Sequence, residues 1–260
     1  MAITLDENAL QDALRPLLDA PRFRQGLENL VSDPFFLAYF LASVSQGEAL
    51  GEKAVGLIGQ EDLAQRIHDL ERQEAEERGH KEITLEVAQE LFPEFFPAGR
   101  YRYEAALHGA PYYVGVLEEN RKRLKERGRY SRLTLYLTTT FGYEVMVLLL
   151  YGAVAEAMAH SRLPAPVWER VGRVLEGILA EEETHLGVVD QHNALLTTPR
   201  AGLSPRANEL IDSLEPLEAE DYRVPAELAV RAVVEATVRY AEPERYRAEI
   251  ESLATEASHA

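Results

Sequence analysis

Apolar residues fall into long periodic stretches that read as helix through nearly the whole chain. Residues 1–30 form a short amphipathic lead-in, interrupted by Pro16 and Pro21. Ser32-Asp33-Pro34 then gives a capping side chain followed by proline in a first turn, which predicts a helix to about Leu57, stopped by Gly56 and Gly59. A second helix starts near Glu61-Asp62, whose charges suit an N-terminus, and runs to about Leu91, where FPEFFPAG breaks it. Residues 93–128 connect to the next core segment and hold a helix over about Tyr112–Arg127, ended by Gly128. A third core helix covers about Tyr130–Ser161. The stretch Leu163-Pro164-Ala165-Pro166 is a stop and restart, and a fourth core helix covers about Val167–Leu196. The tail, 203–260, holds two or three more helices, broken at Pro225 and around Tyr240–Pro243.

This is a hairpin, a long crossover and a second hairpin, the wiring of a four-helix bundle with one long connection. The expectation is an all-α chain folded as a single domain over 1–260. Its bundle spans about 32–196, with extra C-terminal helices over about 203–260.

Composition narrows the chemistry. The chain has 260 residues, 46% of them hydrophobic, enough for a sizeable core. A net charge of -17 argues against nucleic acid and anionic membranes as partners. Having no cysteine, the chain cannot form disulfides, cysteine-held metal sites or a thiol nucleophile. The N-terminus lacks a basic segment followed by a long apolar one, so a cytoplasmic location is the default expectation. Phe35–Gly59 and Leu133–Ala159 raise the membrane question, but each carries acids and polar residues, and a bundle centre is equally apolar on all sides.

The candidate chemistry lies in a repeated spacing. Glu77-x-x-His80 and Glu182-x-x-His185 each place a carboxylate and an imidazole on one helix face, a turn apart. The spacing alone is weak, and a third copy, Glu256-x-x-His259 at the C-terminus, is read as a chance occurrence. Position carries more weight. Glu144 sits in FGYEVMVLLLYG with no cation on its helix face, and Glu48 sits in LASVSQGEALGE. Glu52, one turn after Glu48, is the competing acid, but it stands beside Lys53 and nearer the helix end. An unpartnered buried carboxylate is costly, so each needs a partner from another helix, either a metal ion or an arginine. Register agrees: Glu144 and Glu182 are equidistant from the LPAP turn, and Glu48 and Glu77 are nearly so from the Gly59–Glu61 break. All four carboxylates can therefore meet at mid-bundle height. Gly47, Gly51, Gly79, Gly142 and Gly187 lie close by, as expected where helices approach closely around ions, although ordinary packing explains any one of them equally well.

With Glu48, Glu77, His80, Glu144, Glu182 and His185 in place, residues 32–196 resemble the ferritin-like di-iron carboxylate superfamily. The resemblance implies a ferritin-like four-helix bundle holding two iron ions, or manganese with iron, with dioxygen as co-substrate. It also implies that Glu77 and Glu144 shift between bridging and terminal binding. The expected function is a dioxygen-activating oxygenase or oxidase, an oxidoreductase acting on a small or lipophilic organic molecule. One alternative is a ferroxidase or other iron-handling protein. Another is a non-catalytic helical module whose core acids are neutralised by arginine.

Around the ligands, Glu76 and Glu181 each precede a motif histidine by four residues. Either could orient an imidazole, though solvated surface acids are the plainer reading. Phe40, Leu41, Val44, Phe141, Tyr143, Val147, Leu148 and Tyr151 are one or two turns from the ligands and would line a pocket or simply fill the core. Tyr151 shares the Glu144 face and is the candidate redox or hydrogen-bonding residue. Arg121, Lys122, Arg123, Lys125, Arg127, Arg129 and Arg132 form a basic cluster against the overall charge. Arg121, Lys122, Arg123, Lys125 and Arg127 would suit an acidic, ferredoxin-type electron donor, or would form a solvated helix end. A homodimer is compatible with all of this.

Overall fold

A computed structural model describes residues 2–59, 70–185 and 187–257, with side chains undescribed at 52–71, 110, 183, 184 and 257. The chain is all-α, with no strand among the described residues. Two short helices, α1 (Glu7–Leu14) and α2 (Pro21–Ser32), precede the first long one, α3 (Pro34–Gly59). Asp33 opens α3 by accepting the Phe35 N–H on its carboxylate at 2.9 Å. Next come α4 (Leu70–Leu91), α5 (Gly109–Glu126), α6 (Arg132–Met158) and α7 (Ala165–His185). The remaining helices are α8 (Val188–Thr197), α9 (Pro205–Asp212), α10 (Ala219–Arg239) and α11 (Pro243–Ala257).

Cross-helix contacts fix the topology of the bundle. Ser45 on α3 donates to the Lys81 carbonyl on α4, while Gly51 faces Glu77, so α3 and α4 are antiparallel. The rings of Phe40 and Tyr151 meet edge to face, and Gly47 lies beside Tyr143, so α3 and α6 are antiparallel as well. His80 reaches Glu181 and Glu76 reaches His185, which makes α4 and α7 antiparallel. With α6 and α7 forming the second hairpin, the sense is up, down, down, up. That order requires the long crossover carrying α5.

The central helix α6 is buried along most of its length, which accounts for its largely apolar sequence. Its start is secured by a capping box between Ser131 and Thr134. Among the described residues it is the one helix long and apolar enough to cross a membrane, and 83% of its most apolar stretch is buried inside the protein. A further helix, α10, lies along it. Gly142 makes this possible, because a Cβ there would fall 2.7 Å from the Pro225 carbonyl carbon.

Two boundaries differ from the sequence reading. Pro225 lies inside α10 rather than breaking it. A proline cannot donate to the carbonyl four residues earlier, and here that carbonyl, of Asp221, accepts from Arg123 Nη2 at 2.9 Å instead. The fourth core helix does not run unbroken to Leu196. It ends at His185, and Gly187 caps α8, on which His192 meets the Tyr222 hydroxyl at 2.8 Å and Asn193 bonds the Ile3 backbone. The predicted start of the second core helix at Glu61-Asp62 and the His259 end of the third Glu-x-x-His lie outside the described residues.

Candidate metal centre

Four helices deliver six polar side chains to one level of the bundle. Glu48 comes from α3, Glu77 and His80 from α4, Glu144 from α6, and Glu182 and His185 from α7. None is more than 6% exposed. They form two groups: Glu77, Glu144, Glu182 and His185, and Glu48, His80 and Glu182. Within each, one possible ligand atom per residue lies within 4.8 Å of all the others. Glu182 belongs to both groups. The resemblance gives the shifting role to Glu77 and Glu144, whereas the carboxylate lying between the two clusters here is Glu182.

Both imidazoles are held from outside, and the holding is crossed between helices. His80 Nε2 lies 2.8 Å from Glu181 Oε2, and His185 Nε2 lies 2.7 Å from Glu76 Oε2. Each acid therefore serves the other helix's histidine rather than the one four residues further along its own. Glu76 and Glu181 act as ring-orienting partners, not as plain solvated acids. The arrangement turns both Nδ1 atoms inward. His185 Nδ1 is 2.7 Å from Glu182 Oε2 and 3.7 Å from Glu144 Oε1. His80 Nδ1 is 3.1 Å from Glu182 Oε1 but not aligned for a hydrogen bond, leaving a buried nitrogen without a hydrogen-bond partner.

The carboxylates have partners of their own. Tyr151 donates to Glu48 Oε1 at 2.9 Å. Gln73 donates to Glu144 Oε1 at 3.2 Å and accepts from the Tyr136 hydroxyl at 3.2 Å. The sequence reading singled out Tyr151 but missed Gln73 and Tyr136. The available signal for Gln73 was its place one turn before Glu77 on the same face. Gly51 is required by Glu77: a Cβ there would lie 2.8 Å from Glu77 Oε2.

Charge at the site is crowded. Burial pushes Glu77 and Glu144 well up from the usual carboxylate range, and neighbouring acids push them further. Burial also raises Glu48, against a hydrogen bond from Glu77. Glu182 feels the same burial, yet hydrogen bonds from Glu144 and His185, and the closeness of His80, hold it well below its ordinary value. Burial alone would lower both histidines, but the bonds and charge of the surrounding carboxylates win and hold His80 at about 9 and His185 at about 11. Without a metal, burial thus favours the protonated form of Glu48, Glu77 and Glu144, while the neighbouring carboxylates favour protonated histidines. Among the described residues, the ion pairs of these four carboxylates are all with His80 and His185. The arginine neutralisation considered from sequence is not found there.

Two cavities adjoin the carboxylates, and an open groove lined by Glu76, His80 and Glu181 adjoins the histidine side. One of about 20 Å³ lies among Glu48, Glu77, Glu144 and Glu182 and has room for a water-sized guest. A larger one of about 80 Å³ meets it at Gly47, Glu48 and Tyr143. Of the residues expected to line a pocket, Phe40, Val44, Tyr143 and Tyr151 face the larger cavity and Val147 the smaller. Leu148 faces a separate groove beneath α1 and α2, and Leu41 and Phe141 line neither cavity and are fully buried core.

The basic cluster is largely consumed within the fold. Arg123, Arg127 and Arg129 all reach the fully buried Asp221 at 3.0, 3.2 and 2.5 Å, and Arg121 pairs with Glu118 at 2.5 Å. Lys125 lies over the Tyr130 ring. The chain matches no protein-family model, no curated protein and no solved structure.

Proposed function

We propose that the chain is an oxidoreductase that binds two divalent metal ions, iron or manganese with iron, and uses dioxygen to oxidise an organic molecule. The observation that carries this reading is the pair of buried Glu/His groups sharing Glu182, whose ion pairs among the described residues are with His80 and His185. Four carboxylates against two divalent ions cancel in charge, with both histidines neutral. The ions would thus replace the protons now shared within the cluster.

The residues fit such ions. Carboxylate oxygens with two imidazoles suit iron and manganese. His80 Nδ1 is inward, buried and unbonded, as a ligand nitrogen awaiting an ion would be. Glu48, His80 and Glu182 would hold one ion, and Glu77, Glu144, Glu182 and His185 the other. When bound in the reduced state, such a pair supplies the electrons that activate dioxygen.

The protein's own part is positioning, exclusion of water and proton placement. Glu76 and Glu181 fix the imidazole planes. Gln73 and Tyr136 hold Glu144, and the Tyr151 hydroxyl holds a proton against Glu48 Oε1, at the boundary between cluster and larger cavity. That cavity favours an organic substrate over iron itself as the molecule oxidised. The test is oxygen uptake by metal-replete protein after reduction, compared with His185→Ala. The variant is expected to lose one ion and oxygen uptake while far-UV helicity persists. Equal oxygen uptake in the variant would reject the assignment.

A further inference from the structure

The larger cavity has a chemical character of its own. It runs along α3 from Glu48 past Gly47, Val44 and Ser43 to Tyr39, and its opposite wall is one face of α10: Ala229, Ala232, Val233 and Ala236. Among the described residues Glu48 is the single formally charged side chain in its lining, at the end that meets the cluster, and Arg239, behind His108 and Tyr246, is already paired with Glu249. Burial and the neighbouring Arg239 push His108 down to about 4, so this residue is neutral near pH 7. An anion or cation entering here would lose its hydration with no opposite charge to meet except at Glu48, which is costly.

Midway lies a polar anchor without a partner. Ser43 Oγ is buried and makes no hydrogen bond. Next to it the N-terminus of α5, also part of the lining, opens with no side-chain cap, and its first residue, Gly109, lies directly against the Ser43 carbonyl. A hydroxyl beside a helix N-terminus favours an oxygen acceptor. Ser43 precedes Glu48 by five residues, about 7.5 Å along the helix at 1.5 Å per residue. The cavity is narrow, about 80 Å³.

Resting on the functional reading above, we propose that the substrate is a short, uncharged, oxygen-bearing hydrocarbon, an alcohol or carbonyl compound. Its oxygen bonds Ser43 and its far carbon reaches the Glu48 end of the cavity.

The test uses full-length, metal-free protein with 1-pentanol, pentanoate and pentylamine as probes, followed by calorimetry and ligand-observed NMR. The alcohol is expected to bind at least tenfold more tightly than either charged analogue. Ser43→Ala is expected to weaken it about fivefold, the loss of one hydrogen bond of about 1 kcal/mol. Ala232→Phe, which fills the cavity, is expected to abolish binding. Charged probes binding as well as the alcohol, or Ser43→Ala leaving the alcohol's affinity unchanged, would overturn the proposal, and both can be read even if Ala232→Phe fails to fold. Because no metal is involved, the outcome is separate from the oxidoreductase reading. Alcohol binding in a protein that takes up no iron or manganese would sink that reading alone.

Discussion

Gly51→Ala separates a helix built for stability from one built around a site. Glycine inside a helix costs roughly 1 kcal/mol relative to alanine, so an inert position would gain that much. At Gly51 the new Cβ would fall 2.8 Å from Glu77 Oε2 and 3.0 Å from its carboxyl carbon, where ordinary contact begins at 3.4 Å. Below 3.0 Å something must shift, so the carboxylate has to retreat by a few tenths of an ångström. Metal ligands tolerate about 0.2 Å. Metal affinity should therefore fall by about tenfold to a hundredfold, the range seen when ligand orientation is disturbed, while thermal stability of the metal-free protein stays near that of the native chain. Gly79→Ala is the control on the neighbouring helix. A Cβ there meets nothing within 4 Å, so about 1 kcal/mol of gain should raise the melting temperature by about 2 °C. Its metal affinity should be unchanged. The assays are calorimetric metal titration and thermal unfolding of both variants. Native metal affinity in Gly51→Ala would refute the reasoning, since the vacancy would then serve helix packing alone.

Other outcomes follow from the same geometry. Asp221→Ala leaves Arg123, Arg127 and Arg129 facing one another and uncaps α10, so about 3 kcal/mol of stability should be lost, read as a lower denaturant midpoint with unchanged slope. An unchanged midpoint would mean the three guanidinium groups find other partners at no cost. The pH dependence has a definite sign. His80 and His185 stand at about 9 and about 11 in the fold, above their ordinary 6.5. The stability they contribute to the metal-free protein is complete below about 6.5 and is lost as pH rises through about 9 and then about 11. Metal uptake displaces these protons, so metal affinity should rise over the same range. Denaturant titrations and metal titrations at pH 6, 8 and 9.5 should move in opposite directions, and stability that rises with pH would contradict the assigned protonation.

Much of this was legible in the sequence because it depends on local periodicity. A Glu-x-x-His on a helix shares a face whatever the tertiary structure, and an acid inside an apolar run must find a partner, which is why Glu144 stood out. Equal distance from a turn fixes height in a hairpin, so the level of the four carboxylates could be read as well. The rotation of one helix about its axis relative to another could not. That rotation decides that Glu76 meets His185 rather than His80, and it brings Gln73 to Glu144. Counting charges also failed at Arg123, Arg127 and Arg129, because their shared partner Asp221 lies about ninety residues away and shows no mark of burial in its own segment. The same triad supplied the hydrogen bond that lets Pro225 sit inside a helix, which no local rule foresees.

The central claim is that six side chains from four helices hold two cations. Diffraction from metal-replete crystals at the iron and manganese absorption edges tests it directly. Two anomalous peaks per chain are expected, one among Glu48, His80 and Glu182, the other among Glu77, Glu144, Glu182 and His185. A cluster with no anomalous peak and its carboxylates still sharing protons would contradict the account.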